Sequence, residues 1–154
     1  MSSAFERLLS PVTGRPAERT EHDRAARLNI AVVFTSVHST LAALRRAGEL
    51  ASRLGARITL VVPQIVPYPL PLESPPVLLD FSEKRFRLIA EQIPVETTVR
   101  LFLCRDRLEM LTAELAPRSL VVMGGKKCWW RSAEKRLARA LRRQGHEVVF
   151  TETE

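Results

Sequence analysis

The chain has 154 residues, 45% of them hydrophobic, and a net charge of +7. That length suits one domain with a sizeable core, and no apolar run approaches the roughly 20 residues that a membrane-spanning helix needs. The opening stretch MSSAFERLLSPVTGRPAERT has neither the apolar block nor the cleavage pattern of a signal peptide, so a soluble cytoplasmic protein is expected. Cys104 and Cys128 show no metal-ligand spacing and no CxxC pattern, which favours reduced thiols over a disulfide or a zinc site.

Residues 1–27 are rich in charge and carry Pro11, Gly14 and Pro16. Phe5, Leu8 and Leu9 suggest one short apolar turn, and the remainder reads as a mobile N-terminal arm without chemistry. The domain proper is expected over 28–154. Leu28 to Phe34 (LNIAVVF) is β-branched without helical period, hence a strand buried on both faces, and Thr35 to Ser39 form its exit loop. A helix follows, with Ser39 or Thr40 as N-cap, Leu41, Leu44, Ala47, Ala51 and Leu54 on one face, and Gly55 as its stop. Arg57 to Val62 is a second strand, completing a βαβ unit.

From Pro63 to Pro76 there are six prolines in 14 residues, which predicts an extended connection rather than helix or central strand. Val77 to Ile93 places Leu79, Ser82, Phe86, Ile89 and Ile93 on one stripe, a second helix ended by Pro94. Val95 to Cys104 is the third strand. Asp106 with Glu109 three residues on resembles a capping box, opening a short helix that Pro117 stops. Leu120 to Met123 is the fourth strand, ending on a Gly124-Gly125 turn. Ser132 caps the last helix, with Ala133, Leu137, Ala140 and Leu141 inward and Gly145 at its end. His146 to Thr151 is the fifth strand.

Alternation of five strands with four helices predicts an α/β fold, a three-layer open parallel five-stranded sheet with helices on both faces. Its ligand crevice lies past the carboxyl ends of the strands, where strand order reverses, which puts Thr35 to Ser39 and Gly124 to Arg131 on opposite lips of one cleft. The charge is concentrated there. Between residues 126 and 143 stand eight basic residues against Glu134 alone, and the rest of the chain holds sixteen of each sign. Such a run is either a solvated helix face or a surface for an anion.

NIAVVFTSVHSTLAALRRAGELASRLGARITLVV resembles the first βαβ unit of the universal stress protein family, and RSLVVMGG followed by SAEKRLARAL and HEVVF resembles its closing elements. The resemblance covers residues 29–154. It implies an adenine-nucleotide alpha-hydrolase-like, Rossmann-like domain with strand order 3-2-1-4-5, usually dimeric and concerned with the stress response. In ATP-binding members the first strand typically ends in Asp-Gly-Ser; the matching positions here are Thr35, Ser36 and Val37, without a carboxylate. The family's phosphate loop has the form G-x2-G-x9-G-[ST]; only Gly124 and Ser132 have counterparts, and the segment between them, Gly125 to Arg131, is shorter.

The resemblance therefore points to a divergent member that has lost ordinary ATP binding and acts as a non-catalytic stress-related or regulatory module, with no cofactor and no metal. If ATP or AMP does bind, Thr35, Ser36, Gly124, Gly125, Lys126, Lys127 and Ser132 are the residues expected to hold it, the lysines replacing lost backbone contacts by charge. One ring of Trp129-Trp130 is expected over the cleft, where the family would place adenine. His38 has no positioned partner, and no Ser-His-Asp, paired-carboxylate or metal constellation appears, so no catalytic residue is assigned. The stripe Arg136, Arg139 and Arg143, flanked by Lys135 and Arg142, supplies a nucleic-acid-binding alternative. Because the last strand would be an edge, a homodimer pairing near Val148, Val149 and Phe150 is expected.

Overall fold

The computed structural model describes residues 5–8, 28–71, 79–128 and 132–154. Its elements are β1 (Phe5–Leu8), β2 (Asn29–Val33), α1 (Val37–Leu54), β3 (Arg57–Ile65), α2 (Leu79–Ala90), β4 (Thr97–Cys104), α3 (Arg107–Glu114), β5 (Leu120–Lys126), α4 (Ala133–Arg143) and β6 (Glu147–Thr153). They form one sheet of order β1-β4-β3-β2-β5-β6. The five strands from β2 onward are parallel and take the expected order, the chain moving outward from β2 to β4 and then returning to β5 and β6. The reversal falls between β2 and β5.

Alternation along each strand sorts the core into two layers. Ile30, Val32, Ile58, Leu60, Val62, Val99, Leu101 and Val122 pack against Ala43, Leu44, Ala47 and Ala51 of α1 and Phe86, Ile89 and Ala90 of α2. The intervening residues Ala31, Val33, Val61, Phe102, Val121 and Met123 meet Met110 and Leu111 of α3 and Leu137, Ala138 and Leu141 of α4. Both faces of the central strands are thus buried, which is why they read as continuous apolar runs without period. Each fully buried Leu or Ile side chain contributes on the order of 1.5–3 kcal/mol. Phe34 and Phe86 add an edge-to-face contact, their centroids 5.1 Å apart.

Several boundaries differ from expectation. Phe5–Leu8 is no apolar turn of an arm: it is a strand, antiparallel to β4 with Phe5 opposite Leu103 and Leu8 opposite Arg100, so the sheet has six strands. The other residues of the expected arm, 9–27, lie outside the described residues. β3 does not stop at Val62 but runs through Pro63, which pairs in register with Phe102. The reason is local. Phe34 N–H donates to Val61 O at 2.9 Å, so Val61 and, two residues on, Pro63 turn their backbone groups toward β2. Since β2 has ended by then, the missing proline N–H costs no ladder bond. Residues 72–78, the end of the expected connection and the start of the expected second helix, also lie outside the described residues.

α1 begins earlier than predicted. Ser36, not Ser39 or Thr40, is its N-cap, accepting from Ser39 N–H, while Ser39 and Thr40 are buried in the first turn. Gly55 closes it in the left-handed region at φ 63°, as Gly at this position allows. Asp106 does cap α3, its Oδ1 accepting from Glu109 N–H at 2.8 Å, and Ser132 caps α4, accepting from Lys135 N–H at 3.1 Å. In α4 the inward residues are Leu137, Ala138 and Leu141, whereas Ala133 is exposed.

Candidate functional site

The expected site lies where β2 and β5 part. β5 does not end at Met123: Gly124, Gly125 and Lys126 continue the strand, paired with Thr151, Glu152 and Thr153 of β6. Gly124 and Gly125 are therefore strand residues and not the expected turn, and both are buried. Their glycine character answers to two close approaches from opposite faces of the sheet. A Cβ on Gly124 would lie 2.2 Å from Ser39 O, so the first turn of α1 rests directly on the β5 backbone. A Cβ on Gly125 would lie 2.7 Å from the Phe150 ring and 3.2 Å from Glu134 Cβ, in the first turn of α4.

Hydroxyl groups then tie the two lips together. Thr35 Oγ1 donates to Gly124 O at 2.8 Å, and Thr35 N–H donates to Thr40 Oγ1 at 3.1 Å. Ser39 Oγ lies 3.1 Å from Thr153 Oγ1, a buried pair, and Thr153 Oγ1 donates to Gly125 O at 3.3 Å. Lys127 N–H closes the end of the strand on Thr153 O at 2.6 Å. The hydroxyls of Thr35 and Ser36 are thus spent on the loop and the helix cap. Ser132 Oγ is likewise committed to Lys135 N–H.

The structure brings Thr35 and Gly124 into contact and leaves Lys126 and Lys127 exposed at the strand end. Trp129, Trp130 and Arg131 lie outside the described residues. Among the described residues the cation that engages the loop is Lys135, which was not among the expected nucleotide ligands: its Nζ donates to Cys128 O at 3.1 Å and pairs with Glu152 at 3.0 Å. At this exposure the ion pair is worth no more than about 1 kcal/mol, but it fixes where the segment after β5 leaves the sheet. His38 is exposed, and its side chain makes no polar contact among the described residues. Among the described residues no three His, Cys, Asp or Glu side chains gather as a metal ion requires, and no helix is long and apolar enough to cross a membrane.

Two arginines at the exit of β4 were also missed. Arg105 donates to Val66 O at 2.7 Å and Leu70 O at 2.6 Å, with its guanidinium 4.1 Å from the Tyr68 ring centre. It fastens the segment after β3 to the carboxyl edge of the sheet. Beside it a pocket of about 350 Å³ opens between α3 and α4, bordered by Ile65, Arg105, Arg107, Leu108, Arg136 and Leu137 among others. None of the seven expected ligand residues lines it. The only sequence signal there was the capping box at Asp106, whose neighbours on both sides are arginine.

Cys104 sits under this region at the end of β4. Burial, with the Asp106 charge adding and Arg107 opposing, pushes its thiol up to about 11, so it is protonated at neutral pH. Cys128 is exposed and unpaired.

No protein-family model matches the chain, and no curated protein matches its sequence. Solved structures do. A universal stress protein from Archaeoglobus fulgidus superposes with a TM-score of 0.57 at 16% identity, over 85% of this chain and 98% of that one. A universal stress protein in complex with cAMP superposes with a TM-score of 0.52 at 17% identity, over 84% and 99%. The parallel sheet, its strand order and its two helical layers are those of the universal stress protein fold.

Proposed function

We propose that this chain is a universal-stress-protein-like, non-catalytic regulatory module whose nucleotide crevice is closed. The reading rests on the contact between the two lips: α1 lies against Gly124 too closely for a Cβ, and the Thr35 hydroxyl is bonded to the Gly124 carbonyl. A phosphate cradle needs backbone N–H groups turned toward an anion. Here Gly124 and Gly125 are paired strand residues with side-chain and backbone atoms packed on each. The two free thiols suit a reducing cytoplasm.

Calorimetric titration tests this. Neither ATP, AMP nor cAMP, the ligand of one similar structure, is expected to give saturable heat at millimolar concentration. Micromolar ATP affinity abolished by Lys126→Ala with Lys127→Ala would overturn the reading in favour of a nucleotide binder.

The same reading carries a homodimer through β6, the outer strand of the sheet. One observation shapes it: Arg142 Nη2 donates to Val148 O at 2.9 Å, covering part of that edge. Pairing near Val148, Val149 and Phe150 therefore requires Arg142 to withdraw. The nucleic-acid alternative draws on exposed Arg136, Arg139 and Arg143, which fall on one side of α4. A mobility shift of labelled RNA or DNA that weakens steeply with salt is its signature.

A further inference from the structure

We infer that the pocket between α3 and α4 binds a small organic oxyanion, its charged head on Arg107 and Arg136 and its apolar body on the pocket floor. The pocket holds about 350 Å³, the lower end of the usual range for ligand sites and room for a small ligand. Three guanidiniums border it against one carboxylate, that of Asp106. The carboxylate is already engaged, since its Oδ1 accepts from Glu109 N–H. Arg105 is engaged as well, on Val66 O and Leu70 O.

Arg107 and Arg136 are different: among the described residues neither guanidinium makes a hydrogen bond, ion pair or ring contact. Two unpartnered guanidiniums beside a concave surface present planar donor forks suited to carboxylate or phosphate oxygens. Leu108, Leu137, Ala140 and the partly exposed Ile65 supply an apolar wall beneath them. Charge together with apolar lining selects a ligand having both, and a bare ion or a neutral hydrocarbon meets only half of the surface. The inference does not depend on the closed crevice, which lies at Thr35 and Gly124 and shares no residue with this pocket.

Titration of the 15N-labelled protein with phenyl phosphate and, separately, hexanoate tests it by amide shifts. The expected result is saturable binding of at least one, with shifts centred on residues 105–108 and 133–140 and affinity at least tenfold above that of inorganic phosphate or benzyl alcohol. Arg107→Gln with Arg136→Gln should weaken it tenfold or more. Ala133→Trp, at an exposed position of the rim, should do so by obstruction while leaving both charges in place. Absence of saturable binding, equal binding of inorganic phosphate, or affinity unchanged in both variants overturns the inference. Shifts centred on Thr35 and Gly124 overturn it too, and they would count against the closed crevice as well.

Discussion

Gly124 and Gly125 are adjacent and both buried, yet their substitution should have unequal effects. An added methyl at Gly124 meets the backbone carbonyl of Ser39, which cannot move without shifting α1. Gly124→Ala should cost about 2–3 kcal/mol, the upper part of the overpacking range. At Gly125 the nearest atom belongs to the Phe150 ring, a side chain able to rotate, so Gly125→Ala should cost less. Urea unfolding of the two variants decides between this ordering and the equal effect expected of a plain turn. Thr35→Val, which removes the hydroxyl bonded to Gly124 O, should cost on the order of 1 kcal/mol. The two thiols should separate as clearly: with a disulfide reagent at pH 8, Cys128 should react at once and Cys104 only on unfolding, because Cys104 is buried and its ionisation lies near 11. Two fast thiols in the native protein would contradict that environment.

At the level of elements, the sequence was legible wherever one local signal decided the outcome. The apolar run before Phe34, the Asp106 cap with Glu109 and the Ser132 cap all appear where they were expected. The misplacements have a common cause: they are decided by neighbours distant in sequence. Ser36, Ser39 and Thr40 are equally good caps by residue type, and it is the approach of α1 to β5 that buries the latter two. Pro63 reads as a strand breaker unless one knows that β2 has already ended beside it. Gly-Gly reads as a turn unless one knows that a helix presses on each face. β1 is four residues whose pairing with β4 leaves no trace of period in the sequence. The candidate site shows the same pattern. Thr35 and Gly124 do meet across the reversal point, but hydroxyl-to-carbonyl closure is a matter of ångströms that composition does not record. Thr153 escaped notice, and Lys135 entered only as a flank of the basic stripe, because each acts through an ordinary strand or helix position.

For the whole molecule, the outer edge of β6 is where the proposed dimer would form. An uncovered edge strand tends to pair with another chain, and Arg142 covers part of this one from within the same protomer. Sedimentation equilibrium at micromolar concentration should show a dimer, and Arg142→Ala, by freeing the Val148 carbonyl, should tighten it. Monomeric behaviour of both proteins would remove the β6 interface.

The bond between Ser39 and Thr153 then has a mechanical meaning. It joins the last residue of the outer strand to the first turn of α1, and Gly125 O of β5 and the Lys127 N–H just beyond it hold the same residue. Under the proposed β6 pairing, a displacement of the edge is expected to reach the first turn of α1 through this bond. If the proposed β6 dimer forms, amide resonances of Thr35 and Ser39 should shift as the protein is diluted through dissociation. Ser39→Ala should cut that transmission while leaving the strand edge itself intact.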